Sequence, residues 1–205
     1  MTVRSAFIPA MPALAALATG ACSGGWPVPD YILPPPLVDG VEVAEFEELS
    51  PVAREFYQAF GPINGSRPTP RAVRGSAEFA GRTVVGTDSG ALLAFGDARM
   101  VVDFDRGSFT ARFDKFQNHD ADGAPTEALA GALVVPNGTT AGPGFWGDVA
   151  GQLTGATDVF DVSGSVEGMF GERGAPVLAG RIAGSVSGSE TGPVAGLFYG
   201  SRDLP

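Results

Sequence analysis

Reactive side chains are scarce in this sequence of 205 residues, which contains one cysteine, Cys22, one histidine, His119, and one lysine, Lys115. A lone cysteine has no partner for an intramolecular disulfide. A zinc site of the usual kind needs more of these residues than the chain supplies, and the one cysteine, which we expect to be acylated, cannot serve in a Cys-His catalytic pair. The sequence also lacks a nucleophile elbow, a phosphate-binding loop and a dinucleotide fingerprint. These absences predict a protein that is not an enzyme.

Positive charge is scarce as well. The chain has 13 Lys and Arg against 23 Asp and Glu, for a formal net charge of −10 at pH 7. A field of this sign repels nucleic acid and anionic lipid. We therefore expect no nucleic-acid partner, and we expect a monomer.

The longest apolar stretch near the N-terminus, Ala6 to Ala18, is too short to cross a bilayer and follows Arg4. This pattern predicts a signal peptide over residues 1–21. Cys22 comes directly after three small residues, a pattern that resembles a bacterial lipobox with Cys22 as the lipidation site. A secretory signal with an incidental free thiol is the alternative.

The segment after the cysteine, residues 22–46, is rich in glycine and proline and predicts a disordered, extended tether. Ser23 stands where an Asp would retain a lipoprotein in the inner membrane of enteric bacteria. By that resemblance we expect a lipid anchor in the outer membrane, with the protein facing the periplasm or exposed at the surface.

Residues 47–73 predict one short helix and a loop. Ser50 is a candidate N-cap, Pro51 suits the first helical position, and Val52, Phe56 and Phe60 fall on one stripe. We expect this apolar stripe to pack on a barrel or to plug one end of it. A partner-binding helix is the alternative.

Glycine is abundant from residue 74 onward, and apolar residues alternate with polar or small ones there. Asp105-Arg106-Gly107 and Asn137-Gly138 are hairpin signals between such runs. The sequence predicts an all-β domain, an eight-stranded antiparallel up-and-down β-barrel over 74–205, with a β-sandwich as the alternative. The predicted inward positions include Phe79, Val85, Val102, Phe104, Phe109, Phe113, Leu133, Val135, Phe145, Val149 and Leu153.

Three glycine-rich motifs occur in the last strands: Gly168-Met169-Phe170-Gly171, Leu178-Ala179-Gly180, and the terminal run from Gly196 to Arg202. Together they resemble the barrel domain of the transferrin-binding protein B family, with two departures. An aromatic residue is missing between Phe170 and Gly171, and Gly-Glu-Arg-Gly replaces the usual Gly-Pro turn. The resemblance implies a binding module at the outer membrane that uses loops at the barrel ends, for capture of iron, haem or a host protein. The chain has room for one barrel without the family's handle domain, so we do not expect transferrin itself as the ligand.

An eight-stranded barrel can be filled by its own side chains or hold one small ligand. The mixture of phenylalanine and glycine at the inward positions favours a filled interior, with glycine permitting strong strand coiling. The alternatives are a lipocalin-like carrier of a small hydrophobic ligand and a structural envelope protein with no ligand.

The two candidate cofactor sites share one segment. His119, expected on a loop, is a candidate haem ligand by the family resemblance. Asn118, Asp120 and Asp122 alternate before Gly123 as in the first half of a calcium-binding loop. The Glu expected at the twelfth position is absent, since Leu129 stands there, and an acidic turn explains the same residues.

Overall fold

The computed structural model describes residues 51–64, 67–68, 74–120, 122–173 and 175–202. The predicted signal peptide, the predicted lipidation site Cys22, the predicted tether and the candidate N-cap Ser50 lie outside these residues. None of the helices in the described part is long and apolar enough to cross a membrane. One helix, α1 (Pro51–Asn64), precedes nine strands: β1 (Arg67–Pro68), β2 (Ser76–Thr87), β3 (Leu93–Asp103), β4 (Ser108–His119), β5 (Pro125–Ala141), β6 (Gly144–Thr154), β7 (Val159–Arg173), β8 (Ala175–Gly188) and β9 (Gly192–Ser201).

Strands β2 to β9 form a closed antiparallel barrel. Each strand pairs with the next along the chain, and the ladder closes where β9 returns to β2, with Leu197 opposite Val84. The short strand β1 adds to the end of β7, where Arg67 pairs with Glu172. Closure leaves no long sheet edge exposed. The predicted eight-stranded up-and-down barrel is confirmed, and the sandwich alternative is wrong.

The barrel interior is apolar, as the alternation predicted. The predicted inward residues are buried, except Phe104, which is partly buried and packs against the same cluster at one barrel end. We call the apolar residues that pack together in the interior, which also include Phe116, Phe170 and Phe198, the inner cluster. Gly164, Gly168, Gly180 and Gly184 lie between inward apolar residues of β7 and β8. A Cβ at any of the four would collide with the backbone of the neighbouring strand, so glycine allows these strands to approach closely.

The structure corrects one predicted hairpin. Asn137-Gly138 does not form a turn but lies inside β5, which continues to Ala141, and the turn is at Gly142 and Pro143. The pairing of β5 is irregular between Val134 and Thr139. The glycine therefore belongs to a bulge, in which an extra residue bends the strand without ending it.

A second bulge lies in β4 at Lys115. Its pairing with β3 shifts there, because Lys115 and Phe116 together face the single residue Gly96, and Lys115 has a φ of 54°, the left-handed region. Residues three apart in a regular strand face opposite sides. Because of the extra residue, Phe113 and Phe116 both face inward and belong to the inner cluster. The Lys115 Nζ points to Asp97 on β3, at 2.8 Å from Oδ2.

Helix α1 packs on the outside of the barrel, which confirms one of the two expected placements. Ala53, Phe56 and Phe60 are buried against outward-facing wall residues. We call this set the outer cluster; its wall residues are Val84, Leu93, Phe95, Ala179, Leu197 and Tyr199. The barrel wall separates the outer cluster from the inner cluster.

Candidate functional site

The barrel interior is occupied by phenylalanine rings in edge-on and tilted contact. The ring of Phe145 lies 5.4 Å from that of Phe109, 5.0 Å from Phe170 and 5.9 Å from Phe198, measured between centroids. Phe198 in turn lies 5.1 Å from Phe113. Rings at these distances are in contact. In the described residues, phenylalanine side chains fill the interior as predicted.

A small cavity lies beside these rings. It has a volume of about 10 Å³ and is lined in part by Phe79, Met100 and Leu178. That space corresponds to about one water molecule. A ligand of the size that lipocalins carry does not fit this cavity.

One end of the barrel is acidic. Four connections meet there, comprising residues 88–92, 120–124, 155–158 and 189–191. They contain no lysine or arginine, and their acidic residues are Asp88, Asp120, Asp122, Asp158 and Glu190. We call these four connections the loop end. Their charge creates a negative potential at this end of the barrel.

Hydrogen bonds tie two connections of the loop end together. Thr87 Oγ1 donates to Glu190 Oε2 at 2.9 Å, and the Ser89 hydroxyl donates to the other carboxylate oxygen. The Ala91 N–H donates to Ser89 Oγ at 3.1 Å. The turn between β2 and β3 is thereby fixed to the turn between β8 and β9. Sequence reasoning missed Glu190, whose only signal was an acid inside a turn of small residues.

The connection between β6 and β7 and the start of β7 are also held by side chains. Glu127 accepts a hydrogen bond from the Ala156 N–H at 2.6 Å, and Ser189 Oγ accepts one from the Val159 N–H at 2.9 Å. The first bond links β5 to the connection between β6 and β7. The second links the start of β7 to the connection between β8 and β9. The loop end is therefore a braced surface, by which we mean that hydrogen bonds hold its loops in place. Such a surface loses less conformational entropy when a partner binds.

The three candidate calcium ligands have separate environments. Asn118 is buried; its Oδ1 accepts from the Leu93 N–H at 2.9 Å and its Nδ2 donates to the Ala91 carbonyl at 3.3 Å. Asp120 Oδ1 accepts from the Ala124 N–H at 2.8 Å and so caps its own turn, while Asp122 is exposed. Among the described residues no three His, Cys, Asp or Glu side chains are grouped to hold a metal ion. The structure thus assigns Asn118 and Asp120 to hydrogen bonds that shape the loop end.

His119 is the last residue of β4 and not a loop residue, which corrects its predicted placement. Its side chain is 7% exposed, and its ring packs edge-on against Phe95 with centroids 5.1 Å apart. Nδ1 lies 2.9 Å from the Gln117 carbonyl oxygen. Because a carbonyl only accepts, Nδ1 carries the proton, and Nε2 holds the lone pair in the neutral ring. A ring this buried does not stand free as an axial haem ligand needs to.

The wall on β3, β5 and β6 exposes large apolar side chains: Val101 is 50% exposed, Val134 37% and Trp146 49%. Trp146 pairs across the ladder with Glu167 of β7, which forms an ion pair with Arg181 of β8. This wall region is distinct from the outer cluster that α1 covers. Tryptophan is enriched in protein interfaces relative to the rest of the surface.

Comparison of the chain with protein-family models and with curated proteins finds no match.

Proposed function

We propose that this chain is a non-catalytic lipoprotein of the bacterial outer membrane whose barrel binds a partner protein on its outside. The observation that carries the proposal is the filled interior, where Phe145 contacts three other rings. Since the described interior leaves space for about one water, recognition falls to the outer surface. The lipobox-like sequence at Cys22 and the resemblance to the transferrin-binding protein B barrel support the anchor and the binding role.

The loop end is the contact surface in this proposal. It carries acidic residues on all four connections and is braced by the bonds of Glu190, Glu127 and Ser189. A braced surface of one charge favours fast association with a surface of the opposite charge. The partner is therefore a protein with a basic patch.

Photo-crosslinking in the original host tests this surface. A photo-reactive amino acid replaces the exposed Asp122 at the loop end, and the matched control replaces the exposed Asp105 in the turn at the opposite end. We expect a cross-linked protein from position 122 that is absent from position 105 and weakens at high salt. Equal adducts from both positions, or none from position 122, would contradict the proposal.

Membrane fractionation tests the anchor separately. Replacing Cys22 with Ser removes the thiol that a lipid would modify, so we expect the variant to leave the membrane fraction while the unmodified chain remains there. The same preparations are checked for bound molecules by native mass spectrometry and by an absorbance scan. A Soret band or a bound apolar molecule would favour the haem-binding or small-ligand carrier alternative over a protein partner.

A further inference from the structure

One face of the barrel wall concentrates the exposed apolar side chains. Val101 on β3, Val134 on β5 and Trp146 on β6 are the large hydrophobic residues that are exposed in the part of the chain that the structure describes. Exposed residues of the same four neighbouring strands surround them. We call this face the open wall; its residues are Arg99, Val101, Thr110, Arg112, Val134, Pro136, Trp146 and Asp148.

Two arginines of the open wall are placed unfavourably. Arg99 and Arg112 lie directly opposite each other in the ladder between β3 and β4, and both are exposed. Like charges at opposite positions of a ladder repel each other. The acids nearby are already paired, Asp114 with Arg112 at 2.7 Å and Asp97 with Lys115 at 2.8 Å. Within the described residues Arg99 has no ion pair, so a carboxylate supplied from outside would relieve the repulsion.

Carboxylates lie on the other side of β5. Residues 144–172, which include β6 and most of β7, contain no lysine or arginine. Glu167 of β7 forms an ion pair with Arg181 of β8, whereas Asp148 of β6 is exposed and has no ion pair among the described residues. The open wall therefore has an uncompensated positive charge on one side of β5 and an uncompensated negative charge on the other.

The register makes the open wall complementary to itself. Arg112, Val134 and Ala150 occupy one row across β4, β5 and β6. Because β4 and β6 are both antiparallel to β5, they run in the same direction, and Thr110 and Asp148 both belong to the next row. A second copy that faces this wall across a two-fold axis along β5 places its own β6 over β4. Its Asp148 then lies over Thr110, beside the two arginines.

The same arrangement covers the exposed apolar residues. Val134 lies on β5, along the axis, and meets Val134 of the second copy. Trp146 of the second copy, two residues before Asp148, lies over Ser108, diagonal to Val101 in the ladder between β3 and β4. A contact that joins tryptophan, arginine and aliphatic side chains has the composition typical of protein interfaces. One symmetric contact thus pairs both the free charges and the exposed apolar groups.

We propose that the open wall is the interface of a symmetric homodimer, in which Asp148 of each copy lies beside Arg99 and Arg112 of the other. The wall of a barrel is convex, so the contact is small and the dimer is weak in solution. Attachment of both copies to one membrane would raise their effective concentration. The monomer expected from the sequence is then the dissociated form. Since the loop end takes no part, this proposal and the proposed function fail or succeed independently.

Sedimentation of the full chain measures the association directly. Cys22 is replaced with Ser in every sample, so that no disulfide can join two copies. We expect a monomer at about 1 µM and a dimer at about 100 µM. Trp146→Ala should weaken association at least about tenfold while the variant remains folded. A chain that stays monomeric at about 100 µM, or a Trp146→Ala variant that associates as tightly as the parent, would overturn the proposal.

Charge reversal identifies the pairing. Arg99→Asp and Asp148→Arg each bring like charges together in the dimer, so each variant alone should associate at least about tenfold more weakly. A mixture of the two variants should recover most of the affinity, because a mixed dimer joins opposite charges at both contacts. Arg106→Asp and Asp105→Arg make the same charge changes in an exposed turn outside the open wall and should associate like the parent. Failure of the mixture to recover, or equal weakening by these controls, would contradict the assigned pairing.

Photo-crosslinking in the original host tests the contact in the chain as the cell makes it. A photo-reactive amino acid replaces Val134, and the matched control replaces the exposed Gln58 of α1. We expect an adduct of two copies of this chain from position 134, identified by mass spectrometry, and none from position 58. An adduct with a different protein from position 134 would mean that the open wall serves another partner, and it would overturn the homodimer.

Discussion

The ring of Phe109 occupies the space that a side chain at position 138 would need. Phe109 and Gly138 are opposite each other in the ladder between β4 and β5, and a Cβ on Gly138 would collide with three ring atoms. Both residues are buried. The glycine is therefore required by the packing of the inner cluster and not by a turn.

This contact predicts that Gly138→Ala lowers the free energy of unfolding by about 1–3 kcal/mol, since overpacking forces the ring or the strand to move. Combining it with Phe109→Leu should cost less than the two single effects added together. Urea unfolding measures all three variants. Gly192→Ala is the matched control, because no atom lies within 4 Å of its added Cβ; a loss for Gly138→Ala no larger than for this control would contradict the packing argument.

Truncation of two adjacent residues of β6 should lower the free energy of unfolding by very different amounts. Phe145 is 1% exposed at the centre of the packed interior rings, whereas Trp146 is 49% exposed on the wall. We expect Phe145→Ala to lower the free energy of unfolding by about 3–5 kcal/mol. Trp146→Ala should stay within about 0.5 kcal/mol of the parent. Denaturant unfolding compares the two, and similar losses would mean that the interior is less tightly packed than the rings indicate.

The left-handed backbone conformation of Lys115 predicts that replacing this residue with glycine stabilises the protein. Its φ of 54° is unfavourable for a residue with a side chain. Its ion pair with Asp97 joins side chains that are 66% and 32% exposed, so the pair contributes little. We expect Lys115→Gly to raise the free energy of unfolding by about 0.5–1 kcal/mol. Lys115→Val should lower it by about 1–2 kcal/mol, because β-branched residues avoid this region. The reverse order in thermal unfolding would contradict the assigned backbone conformation.

Tyr199 predicts loss of stability at alkaline pH. Burial raises the pKa of its hydroxyl above the usual value of 10.0, Arg82 opposes this, and Glu55 adds to it. The folded state therefore favours the neutral phenol, so its contribution is complete below the unfolded pKa and is lost as pH rises through the folded pKa. Urea unfolding at several values from about pH 8 to pH 11 should show a steeper decline for the parent than for Tyr199→Phe. Parallel curves would remove Tyr199 as the cause.

Substitutions of Asn118 and Asp122 distinguish a structural role for these residues from a role in calcium binding. Asn118→Ala leaves the Leu93 N–H and the Ala91 carbonyl without their partner, and we expect a loss of about 1–3 kcal/mol in the free energy of unfolding. Asp122→Ala, at an exposed position, should change it by less than about 0.5 kcal/mol. Thermal unfolding with added Ca²⁺ completes the test: a rise in Tm of the parent that Asp122→Ala abolishes would support a calcium site, and no rise would count against it.

The alternation of apolar residues was enough to predict the strands, because an inward face that must exclude water imposes a period of two. It predicted the burial of Phe145, Val149 and Leu153, while the helical spacing of Phe56 and Phe60 predicted the docking of α1. It did not reveal the bulges at Lys115 and near Gly138, since a bulge depends on contacts with neighbouring strands that are distant in sequence.

Contacts between residues that are distant in sequence also determine the candidate site, so the sequence alone did not predict it. Asn118 and His119 were expected in an acidic loop, but both belong to the end of β4, where Asn118 is fixed by bonds to a residue 25 positions away. The bonding of Thr87 to Glu190 joins positions 103 residues apart. Composition indicated that the loop end is acidic. Only the assembled barrel shows which of its side chains are committed to holding the loops.

The separation of the outer cluster from the barrel ladders determines how this protein responds to mechanical force. Tension applied to the chain before Pro51 reaches α1 first, and α1 is held by side-chain packing that can peel away one contact at a time. Strand β2 is clamped by backbone bonds to β3 and β9 on both sides, which must break together. In an optical trap, stretching should therefore release the helix at low force and leave the barrel intact until a second, higher-force event. Between the proposed lipid anchor and the barrel, the helix would thus detach first under load while the barrel stays folded.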